Sequence, residues 1–476
     1  MIKSIKILLI ATLSVTSLFA QDKMDIHALA GAWMGKLNIN SITLRIVFNL
    51  SVGGDSLAAT LDSPDQGARG IPMGKVEFDG SKIKIPAPTI GGLYEGTVKN
   101  DTLIGGTWTQ MGNTLPLELA KLDKPFTLSR PQEPRSPFPY LTENVKFKNN
   151  KAGIELGGTL TIPKGDGPFP AVVLITGSGA QNRDEELLGH KPFSVIADYL
   201  TRKGIAVLRY DDRGVGESQG NYASATSADL ATDALAAFEF LNRDLRIDPQ
   251  LIGLAGHSEG GLIAPIVAAS DRRIGFIVSL AGPGVSGEDL INRQNSDISL
   301  ASGIDPKKVK ESIAVNKELF AVLKKEPDNK IAETKIIALY RKILASRKTS
   351  PEDTEKALKQ LNAGLNPLAY TWFRYFLSTD PAIFWKKVKC PVLALNGDRD
   401  LQVAADPNLA AIGNALKSGG NTLFRSYKMP GLNHLFQHCT TGLPSEYGEI
   451  EESFSPEVLK IISDWILALE TGRPAF

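Results

Sequence analysis

One stretch constrains this chain more than any other: Leu251-Ile252-Gly253-Leu254-Ala255-Gly256-His257-Ser258-Glu259-Gly260-Gly261-Leu262. An apolar run suited to a strand leads into Gly-x-Ser-x-Gly-Gly, and an Ala- and Ile-rich helix follows to about Ser270. The pattern predicts a nucleophile elbow, a sharp strand-to-helix turn that lifts one Ser above the edge of a parallel sheet. Ser258 is that residue. A turn so tight leaves no room for a Cβ at Gly256 or Gly260. The first N–H groups of the following helix lack partners and carry partial positive charge, so the Glu259 amide is a candidate donor to an oxyanion.

The surrounding sequence supplies the sheet. Pro170-Ala171-Val172-Val173-Leu174-Ile175 is apolar throughout, as a parallel strand covered on both faces must be. It ends in Thr176-Gly177-Ser178-Gly179-Ala180-Gln181-Asn182-Arg183-Asp184, whose glycines allow the backbone to approach a substrate. The Ser178 amide is the second candidate oxyanion donor, with Gly179 as the alternative and as part of the pocket wall. A helix (193–203), a strand (205–210) and a helix (227–242) then lead back to the elbow. Between them, Asp211-Asp212-Arg213-Gly214-Val215-Gly216-Glu217-Ser218 reads as a turn held by Asp and Arg hydrogen bonds rather than as acid chemistry. Strands alternating with helices predict an α/β fold with a mostly parallel sheet and helices on both faces.

After the strand 274–281, a long charged segment of helical pattern (307–324, 329–346, 352–361) delays the next strand to 391–395. Inserted above the nucleophile, this segment, about 283–387, is expected to form a helical lid. It closes with Tyr370-Thr371-Trp372-Phe373-Arg374-Tyr375-Phe376, where Trp372 and Tyr375 are candidate pocket residues.

A Ser hydroxyl needs a base to take its proton and a carboxylate to orient that base. The chain has five histidines. His27 lies in the N-terminal block, His190 follows the glycine loop, and His257 is turned away from its neighbour Ser258 by the elbow. His434, in the strand-end loop Pro430-Gly431-Leu432-Asn433-His434-Leu435-Phe436, is the candidate base, with His438 as fallback. The preceding strand ends in Asn396-Gly397-Asp398-Arg399-Asp400. Asp400 is the candidate orienting carboxylate and Asp398 a support for the turn.

Residues 25–121 differ in pattern: period-two runs such as Ile42-Thr43-Leu44-Arg45-Ile46-Val47-Phe48 are separated by turn signals such as Phe78-Asp79-Gly80. They predict a small all-β domain, a meander, sandwich or barrel, with Trp33, Tyr94 and Trp108 in its core. Residues 122–140, rich in Pro and charge, read as an extended linker, and the α/β domain occupies 141–476. Residues 1–20 combine Lys3 and Lys6 with an apolar run too short to span a bilayer comfortably, as in a secretory signal peptide. An exported protein, periplasmic or extracellular and without a stable membrane anchor once the signal is removed, is expected. The net charge of +1 argues against nucleic acid as a partner. Cys390 and Cys439 have no metal-ligand or redox spacing, a disulfide between them is not expected, and no metal or organic cofactor is implied.

With the motifs Gly256-His257-Ser258-Glu259-Gly260-Gly261, Asp211-Asp212-Arg213-Gly214, Asn396-Gly397-Asp398-Arg399-Asp400 and Leu432-Asn433-His434-Leu435-Phe436 in chain order, residues 141–469 resemble the α/β-hydrolase superfamily. Within it the likeness is to bacterial carboxylesterases and S33-type serine hydrolases with a β-rich N-terminal extension. Thr176 stands where many relatives have a His, which leaves the backbone donors unaffected. The resemblance implies a serine hydrolase acting on small-molecule carboxylic esters through Ser258, His434 and Asp400. The alternatives are an S33-type aminopeptidase, for which Asp184, Glu185 or Glu186 would have to bind an amine, and a non-catalytic binding scaffold.

Overall fold

The computed structural model describes residues 24–39, 42–54, 56–66, 68–126, 129–366 and 369–470. The expected signal peptide lies outside these residues. The chain divides into two compact units, the first ending at Phe126.

The first unit is one antiparallel sheet. Its nine strands are β1 (Gly31–Ile39), β2 (Ile42–Gly53), β3 (Ser56–Ser63), β4 (Ala68–Pro72), β5 (Glu77–Phe78), β6 (Lys82–Ala87), β7 (Gly92–Asn100), β8 (Leu103–Gln110) and β9 (Asn113–Lys121), in the order β4-β3-β2-β1-β9-β8-β7-β6-β5. The period-two pattern does what it should: along β6, Lys82 and Lys84 are exposed while Ile83 and Ile85 are buried. Trp33, Phe48, Tyr94 and Trp108, from four strands, share a single core, so the sheet curls over its own apolar face. Its end strands β4 and β5 do not pair with each other. Of the architectures the hairpin pattern allowed, the meander forms, as an open half-barrel rather than a sandwich or closed barrel.

The second unit is built on an eight-stranded sheet: β10 (Leu141–Asn149), β11 (Ile154–Ile162), β12 (Phe169–Ile175), β13 (Ala206–Tyr210), β14 (Ile247–His257), β15 (Phe276–Leu280), β16 (Val392–Gly397) and β17 (Phe424–Met429). The order is β10-β11-β13-β12-β14-β15-β16-β17, antiparallel from β10 through β11 to β13 and parallel thereafter. The helices are α1 (Pro192–Arg202), α2 (Ser227–Leu241), α3 (Gly260–Ser270), α4 (Gly287–Ala301), α5 (Pro306–Lys325), α6 (Asn329–Ser346), α7 (Pro351–Gly364), α8 (Tyr370–Ser378), α9 (Ala382–Trp385), α10 (Ala405–Ser418) and α11 (Pro456–Glu470). Alternation along β12 explains the two covered faces. Ala171, Val173 and Ile175 pack with α2, α3 and α10, whereas Val172 and Leu174 pack with α1 and α11. Helix α2 starts on a capping box between Thr226 and Asp229, a feature worth about 1 kcal/mol.

The chain leaves β12 for β13 on one side and returns to β14 on the other, so the connections after β12 and β14 diverge and open a crevice at their C-terminal ends. Helices α4 to α8 fill the long insertion between β15 and β16 and have a small core of their own around Leu323, Ala332, Ile336, Tyr370 and Leu377. Helix α4 has no counterpart in the sequence reading, because Asn292, Arg293 and Gln294 interrupt its apolar face.

The segment read as an extended linker is only partly that. Arg130 is buried and donates to the carbonyls of Leu188, Gly189, Gly448 and Ile450, and Gln132 bonds to Ser453 and Phe454. A guanidinium with five donors satisfies several loop carbonyls at once, which the surrounding prolines concealed in the sequence. Both cysteines are free thiols, and burial pushes the Cys390 thiol up to about 12. No described helix is long and apolar enough to cross a membrane.

Candidate active site

The elbow forms where β14 ends. Ser258 has φ 52°, a left-handed conformation uncommon for a residue with a Cβ, and its amide donates to the Leu280 carbonyl at 2.8 Å. Such strain costs about 1–3 kcal/mol and persists only where the surroundings over-determine it. Here the glycines do so: a Cβ on Gly256 would run into the carbonyl of Gly260, and one on Gly260 into the carbonyl of Ile175. Backbone is packed on backbone, leaving Ser258 half-buried between the buried His257 and Glu259.

The loop after β12 passes beside the elbow, and a Cβ on Gly177 would lie 3.2 Å from that of Ser258. The Gly177 N–H donates to Glu185 Oε1 at 2.6 Å, and the Gly179 N–H donates to the Tyr222 hydroxyl at 2.9 Å. Among the described residues, the amides of Ser178 and Glu259 have no acceptor. Two unpaired N–H groups flanking a half-buried serine form an arrangement able to receive a developing oxyanion. Gly179, the alternative donor, is committed to Tyr222 and lines the cavity described below.

The remaining two candidates converge from the ends of β16 and β17. His434 Nδ1 lies 2.8 Å from Asp400 Oδ2, and Asp400 Oδ1 accepts the amides of Gln402 and Val403 at 2.8 Å each. A carboxylate oxygen accepts, so Nδ1 is the donor of this pair, and in the neutral ring that tautomer puts the lone pair on Nε2. Asp398 is exposed and accepts the Gly431 amide at 2.7 Å, as a turn support. His438 is exposed and paired with Glu452, and His190 is buried between Ser453 and the Tyr447 carbonyl, so neither stands in for His434. The His257 ring packs against that of His434 with centroids 4.8 Å apart, which places the elbow and the His434 loop together.

A cavity of about 620 Å³ opens here, lined by Ser178, Gly179, Ala180, Tyr222, Asn366 and Trp372 among others. Trp372 reaches it from lid helix α8, and its indole N–H donates to Glu259 Oε1 at 2.7 Å; Ser227 donates to the same oxygen at 2.5 Å. Burial raises the Glu259 carboxyl, against the pull of those two donors. Tyr375, one turn further along α8, is raised by burial, with Asp229 and Glu259 among the charges that act on it.

The sequence reading missed the groups that hold this geometry. Asp212 accepts Thr176 Oγ1 at 2.8 Å and the Gln181 amide at 2.9 Å; Asp211 binds the Arg183 amide and guanidinium. Arg213 reaches Asp233 at 2.7 Å. The Asp and Arg bonds of this turn thus reach outward to the loop after β12 and to α2 instead of only closing the turn. Asp184 pairs with Arg209, and Glu185 with His257. The one available signal was the density of acids just after a glycine loop. No cluster of three or more His, Cys, Asp or Glu among the described residues is arranged to hold a metal ion.

Residues 191–330 match the family described as "Serine aminopeptidase, S33", a span that holds Ser258 but neither Asp400 nor His434. Esterase EstD of Thermotoga maritima is 37% identical over 153 residues, 32% of this chain and 36% of EstD, so the match spans about a third of that relative's length. An uncharacterized 31.7 kDa protein of Escherichia coli is 25% identical over 283 residues, covering 59% of this chain and 89% of its own. Among solved structures, an esterase of Pyrococcus furiosus aligns with 14% identity and a TM-score of 0.42 over 73% of this chain and 99% of its own. By its sheet order and its elbow the chain has the α/β-hydrolase fold, and over residues 191–330 it is similar to the S33 serine aminopeptidase family.

Proposed function

We propose that the protein is a serine hydrolase of small-molecule carboxylic esters, exported from the cell. The observation that carries the reading is the pairing of a strained, half-buried Ser258 with two unpaired amides, Ser178 and Glu259, beside a His434 whose Nδ1 is held by Asp400. In this mechanism Ser258 Oγ attacks the ester carbonyl carbon while its proton passes to His434 Nε2. The carbonyl oxygen becomes an oxyanion facing the two amides. Collapse expels the alcohol, which takes the proton from His434, and leaves an acyl-enzyme. Water then attacks that ester with His434 again as base, releasing the acid and regenerating the serine. The cavity of about 620 Å³ suits a small or medium-sized substrate.

The family description and the printed name of EstD pull in different directions, peptidase and esterase. An aminopeptidase needs a carboxylate free to bind the substrate amine. Asp184 and Glu185, two of the three candidate acids, are engaged by Arg209 and His257, which favours the ester. Export rests on the pattern of residues 1–20 and is tested by fractionating cells and sequencing the N-terminus of the mature protein. The activity is tested with nitrophenyl esters of increasing acyl length run beside aminoacyl anilides, for wild type and Ser258→Ala. Ester turnover that falls by several orders of magnitude in the variant supports the reading. Anilide cleavage with no ester turnover would transfer it to the peptidase.

A further inference from the structure

Next to the nucleophile lies a second carboxylate–imidazole pair that the mechanism above does not use. Glu185 Oε1 is 2.9 Å from His257 Nδ1 and accepts the Gly177 N–H at 2.6 Å; His257 Nε2 is 3.0 Å from the His434 carbonyl oxygen. Both His257 and Glu185 are almost wholly buried. A carbonyl oxygen can only accept, so Nε2 must carry a proton. On the other side, Oε1 already serves as acceptor to the Gly177 N–H and faces Nδ1 in the same role, so Nδ1 carries a proton too.

We infer that His257 is held as an imidazolium and, with Glu185, clasps the oxyanion loop to the loop of His434, as a positioning pair for both. One end of the clasp fixes Gly177, the residue before the candidate donor Ser178. The other fixes the main chain of His434 itself. Its backbone carries the same mark of constraint as the elbow: Glu185 has φ 51°, Ser258 has φ 52°, and Phe436, two residues after His434, has φ 58°. Burial by itself would lower the pKa of His257, but the charge and hydrogen bond of Glu185, the His434 carbonyl and the charge of Asp400 raise it overall. The titratable groups that face the pair are Asp400 and His434 from the loops after β16 and β17, and Asp212 from the turn after β13.

The kinetic part of the inference rests on the esterase reading; the protonation state does not. The test is ¹⁵N NMR of the full mature protein labelled at histidine, with the five ring systems assigned by single replacements at the other four positions. At pH 7.5 His257 should show both ring nitrogens protonated, and Glu185→Gln, which removes the negative charge beside the ring, should leave it neutral with a single ring proton. On a short-chain nitrophenyl ester, Glu185→Gln should lower kcat by about 10- to 100-fold through displaced reacting groups, with KM changed by less than about threefold. Glu185→Asp, which keeps the charge, should recover part of the loss. A neutral His257 in the wild type overturns the inference, as does an unchanged kcat in Glu185→Gln. A wild type inert to esters and unlabelled at Ser258 by a fluorophosphonate would sink the esterase reading, and the wild-type spectrum would then decide the pair by itself, whether or not the variants fold.

Discussion

Asp400 presents both carboxylate oxygens to fixed donors: Oδ2 meets His434 Nδ1 at 2.8 Å while Oδ1 takes the amides of Gln402 and Val403. In Asp400→Asn a single carboxamide oxygen has to choose. The two amides hold it on their side and turn the NH₂ toward His434, which favours the tautomer with its lone pair on Nδ1. The base then faces Ser258 with the wrong nitrogen. Ester kcat should fall by about 10⁴-fold with a small change in KM. A loss of less than about tenfold in steady-state kinetics would remove Asp400 from the role proposed here.

The glycines of the elbow act through space, not flexibility. A Cβ at Gly260 would meet the carbonyl oxygens of Ile175 and Thr176, which cannot move without shifting β12 and the oxyanion loop. Gly260→Ala should therefore cost about 1–3 kcal/mol in stability and lower kcat through the displaced Glu259 amide. Gly53→Ala, where nothing lies within 4 Å, is the control. Denaturant melts of both variants measure the difference, and equal midpoints would refute the steric account.

These residues differ in how readable they are. Ser258, Asp400 and His434 follow β14, β16 and β17; the apolar, buried stretches of β14 and β16 mark the first two directly, whereas β17 is mostly polar and His434 is read from the loop motif around it. The half-barrel core was equally plain in its alternation. Glu185 and Asp212 act through loops, with partners such as His257 that are 72 residues away in sequence, and no periodicity marks contacts of that kind. Arg130 was hidden for a related reason: a Pro- and charge-rich stretch looks solvated until the loop carbonyls it satisfies are in place.

Trp372 joins helix α8 to the elbow, since its indole N–H donates to the Glu259 carboxyl while its ring lines the cavity. Trp372→Phe keeps most of the ring and removes the donor, so it should perturb kcat more than chain-length preference. Trp372→Ala removes the wall. It should shift the optimum to longer acyl chains, changing the ratio of kcat/KM for long over short esters by about tenfold, near 1.4 kcal/mol. The same nitrophenyl ester series reads both, and an unaltered profile in Trp372→Ala would place the acyl group elsewhere.

Burial pushes the Asp212 carboxyl up to about 8, overcoming the opposing pull of the Gln181 amide and the Thr176 hydroxyl, while the charges of Glu259 and Glu185 add to the rise. An unfolded Asp releases its proton near pH 3.9. Between those limits the folded chain binds more protons than the unfolded one, and by linkage the contribution of this group to stability falls as pH rises. Asp212→Asn removes the titration while leaving one oxygen for the loop. The melting temperature of the variant minus that of the wild type should therefore climb from about pH 4 to about pH 8 and level off above it. His257, whose pKa is also raised, makes its own contribution present in full below about pH 6.5 and lost as the pH passes through its folded value. To a first approximation that term is common to both proteins and cancels in the difference. A pH-independent difference across this window in thermal melts would mean that Asp212 is already ionised in the folded protein, with the two donors outweighing burial.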